Sequence, residues 1–279
     1  MLRTTSRGVP PLDVESTPTR RLIATPYGAV TSENANPTGP YERVAGEYER
    51  GRPAYAPDAV AYIVRELSLG PRSSALDLGA GTGKLTRMLA EQGLQVTALD
   101  ASPEMLARLR VAVPTARTLE AKAESMPLPP ASVDAVTAAQ AFHWFEATST
   151  LTEIHRVLRP GGGVALVWNQ RDESDPIQAL LAELTDPPQR TTPRGWKLDV
   201  AGLIRESGLF GPVSSVEFRH VQPTTPDSLL DRLRSSSFVA SLPSAQRLSA
   251  EQRLREGISR AGPVSHIALT TVVHLARRS

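Results

Sequence analysis

Between about residue 57 and residue 171, the apolar positions switch between a helical spacing and the short runs typical of buried strands. The segment PDAVAYIVRELSLG places Val60, Ile63, Val64 and Leu67 on one helical face. Five later apolar runs predict strands, and they read SSALDLG, LQVTALD, RTLEAKA, SVDAVTAAQ and GVALVWNQ. Helical patterns follow the first, second and fourth of them as GKLTRMLAEQG, EMLARLRVAV and LTEIHRVLRPGG. This alternation predicts a parallel sheet covered by helices on both faces.

The pattern changes beyond Arg171. Two runs, VSSVEFRHVQ and HIALTTVVHLA, predict late strands, and helical stretches near residues 227–238 and 250–258 lie between them. Late strands on either side of an insertion are expected to add an antiparallel edge to the sheet. We therefore predict an α/β, Rossmann-like fold with a seven-stranded, mostly parallel sheet. A helical insertion over about residues 226–262 is expected to cap the ligand cleft.

The first 40 residues are rich in proline, serine and threonine and show no helical or strand period, as in VPPLDVESTPTRR. Such a segment cannot bury enough apolar surface to order itself, so we predict a disordered tail over residues 1–40. One main domain is expected over residues 41–279.

Composition narrows the class of protein further. The formal net charge is only +2 and no basic run stands out, so no nucleic-acid partner is expected. No apolar run approaches the roughly 18 residues of a membrane span. The chain has no cysteine, and its histidines lack the spacing of metal ligands, so we expect no metal site. We predict a cytoplasmic protein that is a monomer or a homodimer.

The glycine turn after the first predicted strand is the strongest candidate for a ligand site. Gly79, Gly81 and Gly83 stand at every second position of ALDLGAGTGKLT. Glycine lets a backbone approach a ligand closely at this edge of a parallel sheet. A triphosphate loop is excluded, because Leu78 and Leu85 stand where its first glycine and its magnesium-binding hydroxyl belong. A dinucleotide fits poorly, because the third glycine comes one residue early.

Asp100 closes the second strand and can accept hydrogen bonds from ribose hydroxyls, which suits any nucleoside ligand. The discriminating feature is AKAESMPLP, where Glu124 follows the third strand. Together with ALDLGAGTGKLT, VTALDASPEML, SVDAVTAAQAFHWF and EIHRVLRPGG, this segment resembles the class I S-adenosylmethionine-dependent methyltransferases in order and spacing. Within that class, YERGRPAY, AFHWF and VWNQRD are similar to the small-molecule subgroup that includes trans-aconitate methyltransferases.

The resemblance implies that S-adenosylmethionine is the cofactor and assigns roles to single residues. Asp77 would accept from the cofactor ammonium, or alternatively cap the turn, and Asp100 would hold the ribose. The adenine would face Ala123 and Glu124, although Glu124 could instead be a surface residue. The residues expected to bind the cofactor are Asp77, Gly79, Ala80, Gly81, Asp100, Ala101, Met105, Ala123, Glu124, Gln140 and Arg52.

Aromatic residues and one histidine are expected to form the acceptor pocket. Arg52 would suit the cofactor carboxylate, and Tyr48 or Tyr55 would close over the same end or simply pack the first helix. Phe142 and Trp144 are predicted to line the pocket, with core packing as the alternative. His143 is a candidate general base, or else a residue that orients the acceptor.

These features predict methyl transfer to a small organic acceptor, on oxygen. Two alternatives stay open. The chain could methylate a protein or an RNA, if Arg232, Arg234 and Arg253 formed one basic face. It could also be a non-catalytic module that only binds the cofactor, since fold and cofactor do not fix the chemistry.

Overall fold

The computed structural model describes residues 45–186 and 198–279. The tail predicted over residues 1–40 lies outside the described residues, and so does the side chain of Tyr48. Within the described part of the chain, no helix is long and apolar enough to cross a membrane.

The strands form one seven-stranded sheet in the order β3-β2-β1-β4-β5-β7-β6. Strands β1 to β5 run parallel, and β7 pairs antiparallel with both β5 and β6. The predicted fold class is therefore confirmed. The strands are β1 (Ser74–Leu78), β2 (Gln95–Asp100), β3 (Arg117–Glu120), β4 (Val133–Ala139), β5 (Leu158–Arg171), β6 (Ser214–Pro223) and β7 (His266–Arg277).

Helices connect and cover these strands. In chain order they are α1 (Ala45–Gly51), α2 (Pro57–Glu66), α3 (Lys84–Glu91), α4 (Pro103–Ala112), α5 (Ala147–Val157), α6 (Pro176–Thr185), α7 (Val200–Glu206), α8 (Pro226–Arg234), α9 (Ser237–Ser241) and α10 (Ser244–Ala261), and a 3-10 turn covers Phe142–Trp144. Helix α4 covers nearly all of the predicted helical segment EMLARLRVAV, and its start is fixed because the Ser102 hydroxyl accepts from the backbone N–H of Met105 and Pro103 occupies the first turn.

The central strands are buried on both faces, and alternate residues enter two separate cores. Leu76 and Leu78 of β1 belong to one core, together with helix α5. Ala75 belongs to the other, together with helices α2 and α3. This two-sided burial explains why the strands read as continuous apolar runs rather than as alternating ones.

A third core lies in the helices around the late strands. Helices α6, α8 and α10 pack their apolar faces together, with Leu181, Leu229, Leu233 and Leu254 among the buried residues. Helix α6 was not predicted from the sequence, although Asp175 caps its first turn and Pro176 begins it. Three helices, α8 to α10, separate β6 from β7.

Candidate active site

The glycine turn after β1 combines a tight contact with an open space. Gly79 and Gly81 both have positive φ angles, +64° and +56°. A Cβ added at Gly79 would lie 2.6 Å from the Cβ of Ala141 and 2.9 Å from Cζ of Phe145. One added at Gly81 would meet nothing within 4 Å. Gly79 therefore lets the loop after β4 pack against the turn, whereas Gly81 leaves room beside its backbone for a ligand.

Asp100 ties this turn to the end of β2. Its Oδ2 accepts from the backbone N–H of Gly81 at 2.8 Å, and its Oδ1 accepts from the N–H of Ser102 at 2.9 Å. Burial raises the pKa of Asp100, and the two backbone hydrogen bonds oppose that shift. Each carboxylate oxygen can accept a second hydrogen bond, so Asp100 can still bind a pair of ligand hydroxyls.

A cavity of about 440 Å³ opens beside Gly81 and Asp100, at the carboxyl ends of β1, β2 and β4. This is the edge at which open α/β sheets bind ligands. Its lining is mostly apolar, with polar groups that include Asp100, Glu124 and Gln140. The residues that line it are Gly79, Gly81, Leu99, Asp100, Ala101, Ser102, Met105, Ala121, Lys122, Ala123, Glu124, Ala139, Gln140, Ala141, Trp144, Phe145 and Glu146.

A smaller cavity of about 70 Å³ adjoins the first one and shares Gly79, Ala139 and Gln140 with it. Gln140 has a positive φ of +54°, and its Nε2 donates to the carbonyl of Asn169 at 2.9 Å. The smaller cavity is lined by Arg52, Pro53, Tyr55, Asp77, Gly79, Ala80, Thr82, Lys84, Leu85, Ala139, Gln140, Asn169, Arg171 and Arg232.

Asp77 is the carboxylate of the smaller cavity and is 1% exposed. Its Oδ2 accepts from the Thr86 hydroxyl at 2.6 Å, and its Oδ1 accepts from the Thr137 hydroxyl at 3.0 Å. Burial raises the pKa of Asp77 to about 6, against the effect of these two hydroxyls. Near neutral pH, Asp77 is thus a buried carboxylate that a nearby cation would stabilise.

Four cationic side chains line the smaller cavity, namely Arg52, Lys84, Arg171 and Arg232. Arg52 donates from Nε to the Ser235 hydroxyl at 3.1 Å, and Arg171 donates from Nη1 to the Thr185 hydroxyl at 3.0 Å. The ammonium of Lys84 donates to the carbonyl of Glu49 at 2.7 Å, and burial lowers its pKa. Lys84 also pairs with Glu49 Oε1 at 3.8 Å, so among the described lining residues cations outnumber the single carboxylate, Asp77, but one of them is offset from outside the cavity.

Arg232 differs from the other three cations in its surroundings. It is 5% exposed, and within the described part of the chain its Nε and Nη1 have no hydrogen-bond partner. Burial and the charges of Arg171 and Arg52 hold the pKa of the Arg232 guanidinium well below its ordinary value.

Helices α1 and α8 pack directly on each other and bring Arg232 to the cavity. A Cβ added at Gly51 would lie 2.2 Å from the backbone nitrogen of Arg232, so only glycine permits this contact. Beside it, Nε of Arg50 donates to Asp231 Oδ2 at 2.6 Å. Arg52, directly after α1, and Arg232 of α8 both line the smaller cavity.

The predicted cofactor residues all lie on these two cavities. Each of the eleven lines at least one of them. The structure also places Trp144 on the larger cavity and Tyr55 on the smaller one. Glu124 is held in place, because its Oε1 accepts from the backbone N–H of Glu146 at 2.9 Å.

Two residues of AFHWF are placed differently from the prediction. Phe142 is 1% exposed and belongs to the core below the sheet edge, so it does not line the pocket. The reason is the 3-10 turn at Phe142–Trp144, which directs successive side chains in different directions. Phe145 takes that place on the larger cavity. Among the described residues that line the two cavities, His143 is not found.

Sequence reasoning missed several lining residues. These are Phe145 on the larger cavity and Lys84, Asn169, Arg171 and Arg232 on the smaller one. Asn169 and Arg171 follow the apolar run of β5, so their position at a strand's carboxyl end was a usable signal. Arg232 had no such signal, because a charged residue in a helix is usually solvated. No group of three or more histidine, aspartate or glutamate residues in the described ranges is arranged to hold a metal ion.

Comparison with known proteins identifies the family. The family model of the methyltransferase domain matches residues 76–166. An uncharacterized methyltransferase of Mycobacterium tuberculosis is 38% identical over 222 residues, which are 76% of this chain and 82% of that protein. A malonyl-[acyl-carrier protein] O-methyltransferase of Serratia marcescens is 36% identical over 170 residues, 53% of this chain and 66% of that protein.

A solved structure from Anaeromyxobacter dehalogenans, named as a type II methyltransferase, superposes with a TM-score of 0.54 at 26% identity. The match covers 81% of this chain and 96% of that one. With the sheet order and the glycine turn, these similarities show that the chain belongs to the class I S-adenosylmethionine-dependent methyltransferases.

Proposed function

We propose that the larger cavity binds the adenosine part of S-adenosylmethionine and that the smaller cavity receives its methionine end and a small organic acceptor. The acceptor is methylated on oxygen. The observation that carries this proposal is the junction of the two cavities at Gly79, Ala139 and Gln140. A donor in one cavity and an acceptor in the other would meet there.

The residues of the larger cavity fit the adenosine group. The space beside Gly81 accommodates the ligand next to the backbone, and the free lone pairs of Asp100 suit two ribose hydroxyls. Ala101 and Met105 provide apolar surface for a purine, and Ala123 with Glu124 borders the same space. We assign the adenine edge to Glu124 and the backbone of Ala123.

The residues of the smaller cavity fit the charged methionine end. We assign the ammonium group to Asp77, because a buried carboxylate with a raised pKa gains most from a cation. We assign the cofactor carboxylate to Arg52, which lies on the same cavity as Ala80. When bound, S-adenosylmethionine supplies a methyl group on a positively charged sulfur.

The protein's own contribution is to align the acceptor and to exclude water. Helices α1 and α8 cover the acceptor side, and hydrogen bonds from Arg52 to Ser235 join the segment after α1 to the end of α8. This cover favours a small acceptor over a protein or an RNA. His143 is assigned an orienting or packing role in the loop after β4.

Similar proteins support oxygen as the acceptor atom, because the Serratia marcescens relative is named as an O-methyltransferase. We also propose the subgroup that includes trans-aconitate methyltransferases. The residues of YERGRPAY and VWNQRD that support it are Arg52, Tyr55, Asn169 and Arg171, all on the smaller cavity. The proposed domain covers residues 41–279, with its helical insertion over about residues 226–262.

Calorimetric titration with S-adenosylhomocysteine tests the cofactor assignment. Asp100→Ala removes the carboxylate that accepts two charge-assisted hydrogen bonds within the turn and that is proposed to accept from the ribose hydroxyls. The affinity of this variant for S-adenosylhomocysteine should therefore fall about 100-fold. Asp134→Ala is the matched control, because Asp134 bonds Arg159 and the backbone of Ser74 at the opposite edge of the sheet. Wild-type protein that binds NADH in place of S-adenosylhomocysteine would refute the proposal.

Transfer of a labelled methyl group tests the acceptor class. Protein is incubated with methyl-labelled S-adenosylmethionine and cell extract, and the label is sought in small-molecule, protein and nucleic-acid fractions. We expect it in the small-molecule fraction. Label confined to macromolecules would support the alternative substrate class. Cofactor binding without transfer to any fraction would support the non-catalytic module.

A further inference from the structure

Strand β6 forms one edge of the sheet and is long for an edge strand. In the sheet order it follows β7, and no other strand of the described chain pairs with it. It has ten residues, whereas β3 at the opposite edge has four. At about 3.3 Å per residue, its outer edge is about 30 Å long and carries a row of N–H and C=O groups that no described strand pairs.

The sequence of β6 lacks the usual protection of such an edge. Proteins commonly blunt an edge strand with a bulge, an internal proline or lysine residues. The described pairs between β6 and β7 run in a continuous register from Ser214 to Pro223, without a bulge. The proline is the last residue of the strand, and none of its ten residues is lysine. The outer edge is therefore regular and able to pair with another strand.

The two faces of β6 differ in what covers them. Helix α2 packs on one face, where the Tyr62 hydroxyl lies 2.9 Å from the Ser214 hydroxyl and the Tyr62 ring centroid lies 5.4 Å from that of Phe218. The residues that alternate with these are exposed on the other face, namely Ser215, Glu217, Arg219 and Val221. Val221 is a large apolar residue and is 62% exposed. A strand added at this edge would cover part of it.

Glu217 and Arg219 place opposite charges on the exposed face, near the middle of β6. In the described part of the chain, neither side chain forms an ion pair within 4 Å. The pKa of Asp172 is lowered by hydrogen bonds from Ser174 and, more weakly, by the charge of Arg219. Both charges of β6 are thus able to pair with a charged partner.

A second copy of this chain fits the edge in one register. Two β6 strands related by a two-fold axis run antiparallel, and residues directly opposite each other share a face of the sheet, so the axis passes beside a single residue. With the axis at Phe218, residues 214–222 of both copies pair, and each Glu217 lies opposite an Arg219. An axis at Glu217 or at Arg219 would bring like charges together.

We propose that the protein forms a homodimer in which two β6 strands pair antiparallel about an axis at Phe218 and join the two sheets into one. Backbone hydrogen bonds supply the affinity, and the two reciprocal pairs of Glu217 with Arg219 select the register. The same register places each Val221 opposite a Ser215. This inference does not rest on the proposed function.

The geometry of the dimer places the two active sites at opposite ends. Strand β7 is antiparallel to both β5 and β6, so β6 runs in the same direction as β1 to β5. When two β6 strands pair antiparallel, the carboxyl ends of the two sheets point in opposite directions. Neither subunit therefore covers the cavities of the other.

Analytical ultracentrifugation of charge-reversal variants tests the interface. Wild type should dimerise between about 1 and 100 µM at low salt. Glu217→Arg and Arg219→Glu each make both reciprocal pairs repulsive, so each should weaken the dimer at least about tenfold. Arg117→Glu is the matched control, because it makes the same change of charge as Arg219→Glu at an exposed residue of β3. This control should dimerise as wild type does.

Two combinations of these variants separate a lost interface from a folding defect. The double variant Glu217→Arg/Arg219→Glu exchanges the two charges, so it should recover the wild-type affinity. A mixture of the two single variants should form a heterodimer, because both of its cross-strand pairs then join opposite charges. Native mass spectrometry distinguishes this heterodimer from the two homodimers by mass.

Amide hydrogen exchange locates the interface. Amides of β6 should be protected in the wild-type dimer and should exchange faster in Glu217→Arg, whereas exchange in β3 should not change. Equal protection of β6 in both proteins would overturn the proposal. So would a wild type that stays monomeric at about 100 µM, a dimer that neither single reversal weakens, or single variants that do not combine when they are mixed.

Discussion

The residues that line the two cavities of the active site differ in how far apart they lie along the chain. Among the described residues, those that line the larger one fall between 79 and 146, at the ends of β1, β2, β3 and β4 or just after them. The smaller one combines residues from 52 to 232, including the segment after α1, the end of β5 and helix α8. Local motifs therefore encode the cofactor side, whereas the packing of distant helices creates the acceptor side.

This difference predicts which substitutions affect folding and which affect only one cavity. Residues at the junction of the two cavities should matter to both, and residues of the cover should matter to the acceptor alone.

Gly79→Ala should reduce the free energy of unfolding by about 2–4 kcal/mol, because it adds overpacking to a positive φ. The new Cβ would lie 2.6 Å from Ala141 and 2.9 Å from Phe145. Gly81→Ala is the matched control, with the same sign of φ and no atom within 4 Å. It should cost only about 1–2 kcal/mol of stability, and it should weaken cofactor binding. Urea denaturation measures the free energy of unfolding of the two variants. Equal losses of stability would contradict the different roles of the two glycines.

Gly51→Ala should lower the rate of methyl transfer at least about tenfold and the stability by about 1–3 kcal/mol, as overpacking does. The added Cβ would lie 2.2 Å from the backbone of Arg232, so α8 must move away from α1. The affinity for S-adenosylhomocysteine should change less than the rate.

Gly46→Ala is the control on the same helix, because its nearest neighbour is the flexible Arg50 side chain at 3.4 Å. Alanine is also the better helix former, which makes any loss in Gly51→Ala a packing effect. A normal rate in Gly51→Ala would contradict the view that the contact between α1 and α8 builds the acceptor side.

The affinity for S-adenosylhomocysteine should rise with pH through the pKa of Asp77. Burial raises that pKa from 3.8 to about 6, so the carboxylate is mostly protonated at pH 5 and mostly ionised at pH 7. Only the ionised form attracts the cofactor ammonium, which predicts about a tenfold gain in affinity over this range. Titrations at both pH values measure it. Asp77→Asn should bind weakly and without this pH dependence. If the affinity of wild type for S-adenosylhomocysteine does not change from pH 5 to 7, Asp77 caps the turn and does not bind the cofactor ammonium.

Removal of residues 1–40 should have the smallest effect. Neither cavity is lined by a residue before Arg52 among those that the structure describes. The shortened chain should keep its Tm within about 2 °C and its cofactor affinity within about twofold. Thermal melting and calorimetry measure these two quantities. A large loss in either would show that residues 1–40 belong to the folded domain.

The sequence allowed the fold and most of the cofactor side to be predicted, because both depend on local signals. The order of strands and helices follows from periodicity, and Asp100 follows from its position at a strand end. Phe142 was assigned to the pocket because sequence spacing alone does not reveal a 3-10 turn, which sends its side chain into the core.

The acceptor side could not be predicted because its decisive contacts join residues far apart in the chain. Gly51 resembles an ordinary helix end in the sequence. Yet a side chain there would clash with the backbone of Arg232, 181 positions later. Arg232 itself stands among the charged residues Asp227, Asp231 and Arg234, which made a solvated face the natural interpretation. Only the packing of α8 over the sheet edge reveals that it is buried.

The two cavities have separate tasks, and one paired titration tests this division. S-adenosylhomocysteine is titrated into Asp100→Ala and Arg232→Met under the same conditions as wild type. We expect Asp100→Ala to lose about 100-fold in affinity and Arg232→Met to stay within about threefold of wild type. Equal losses in the two variants would contradict it, because both residues would then serve the cofactor.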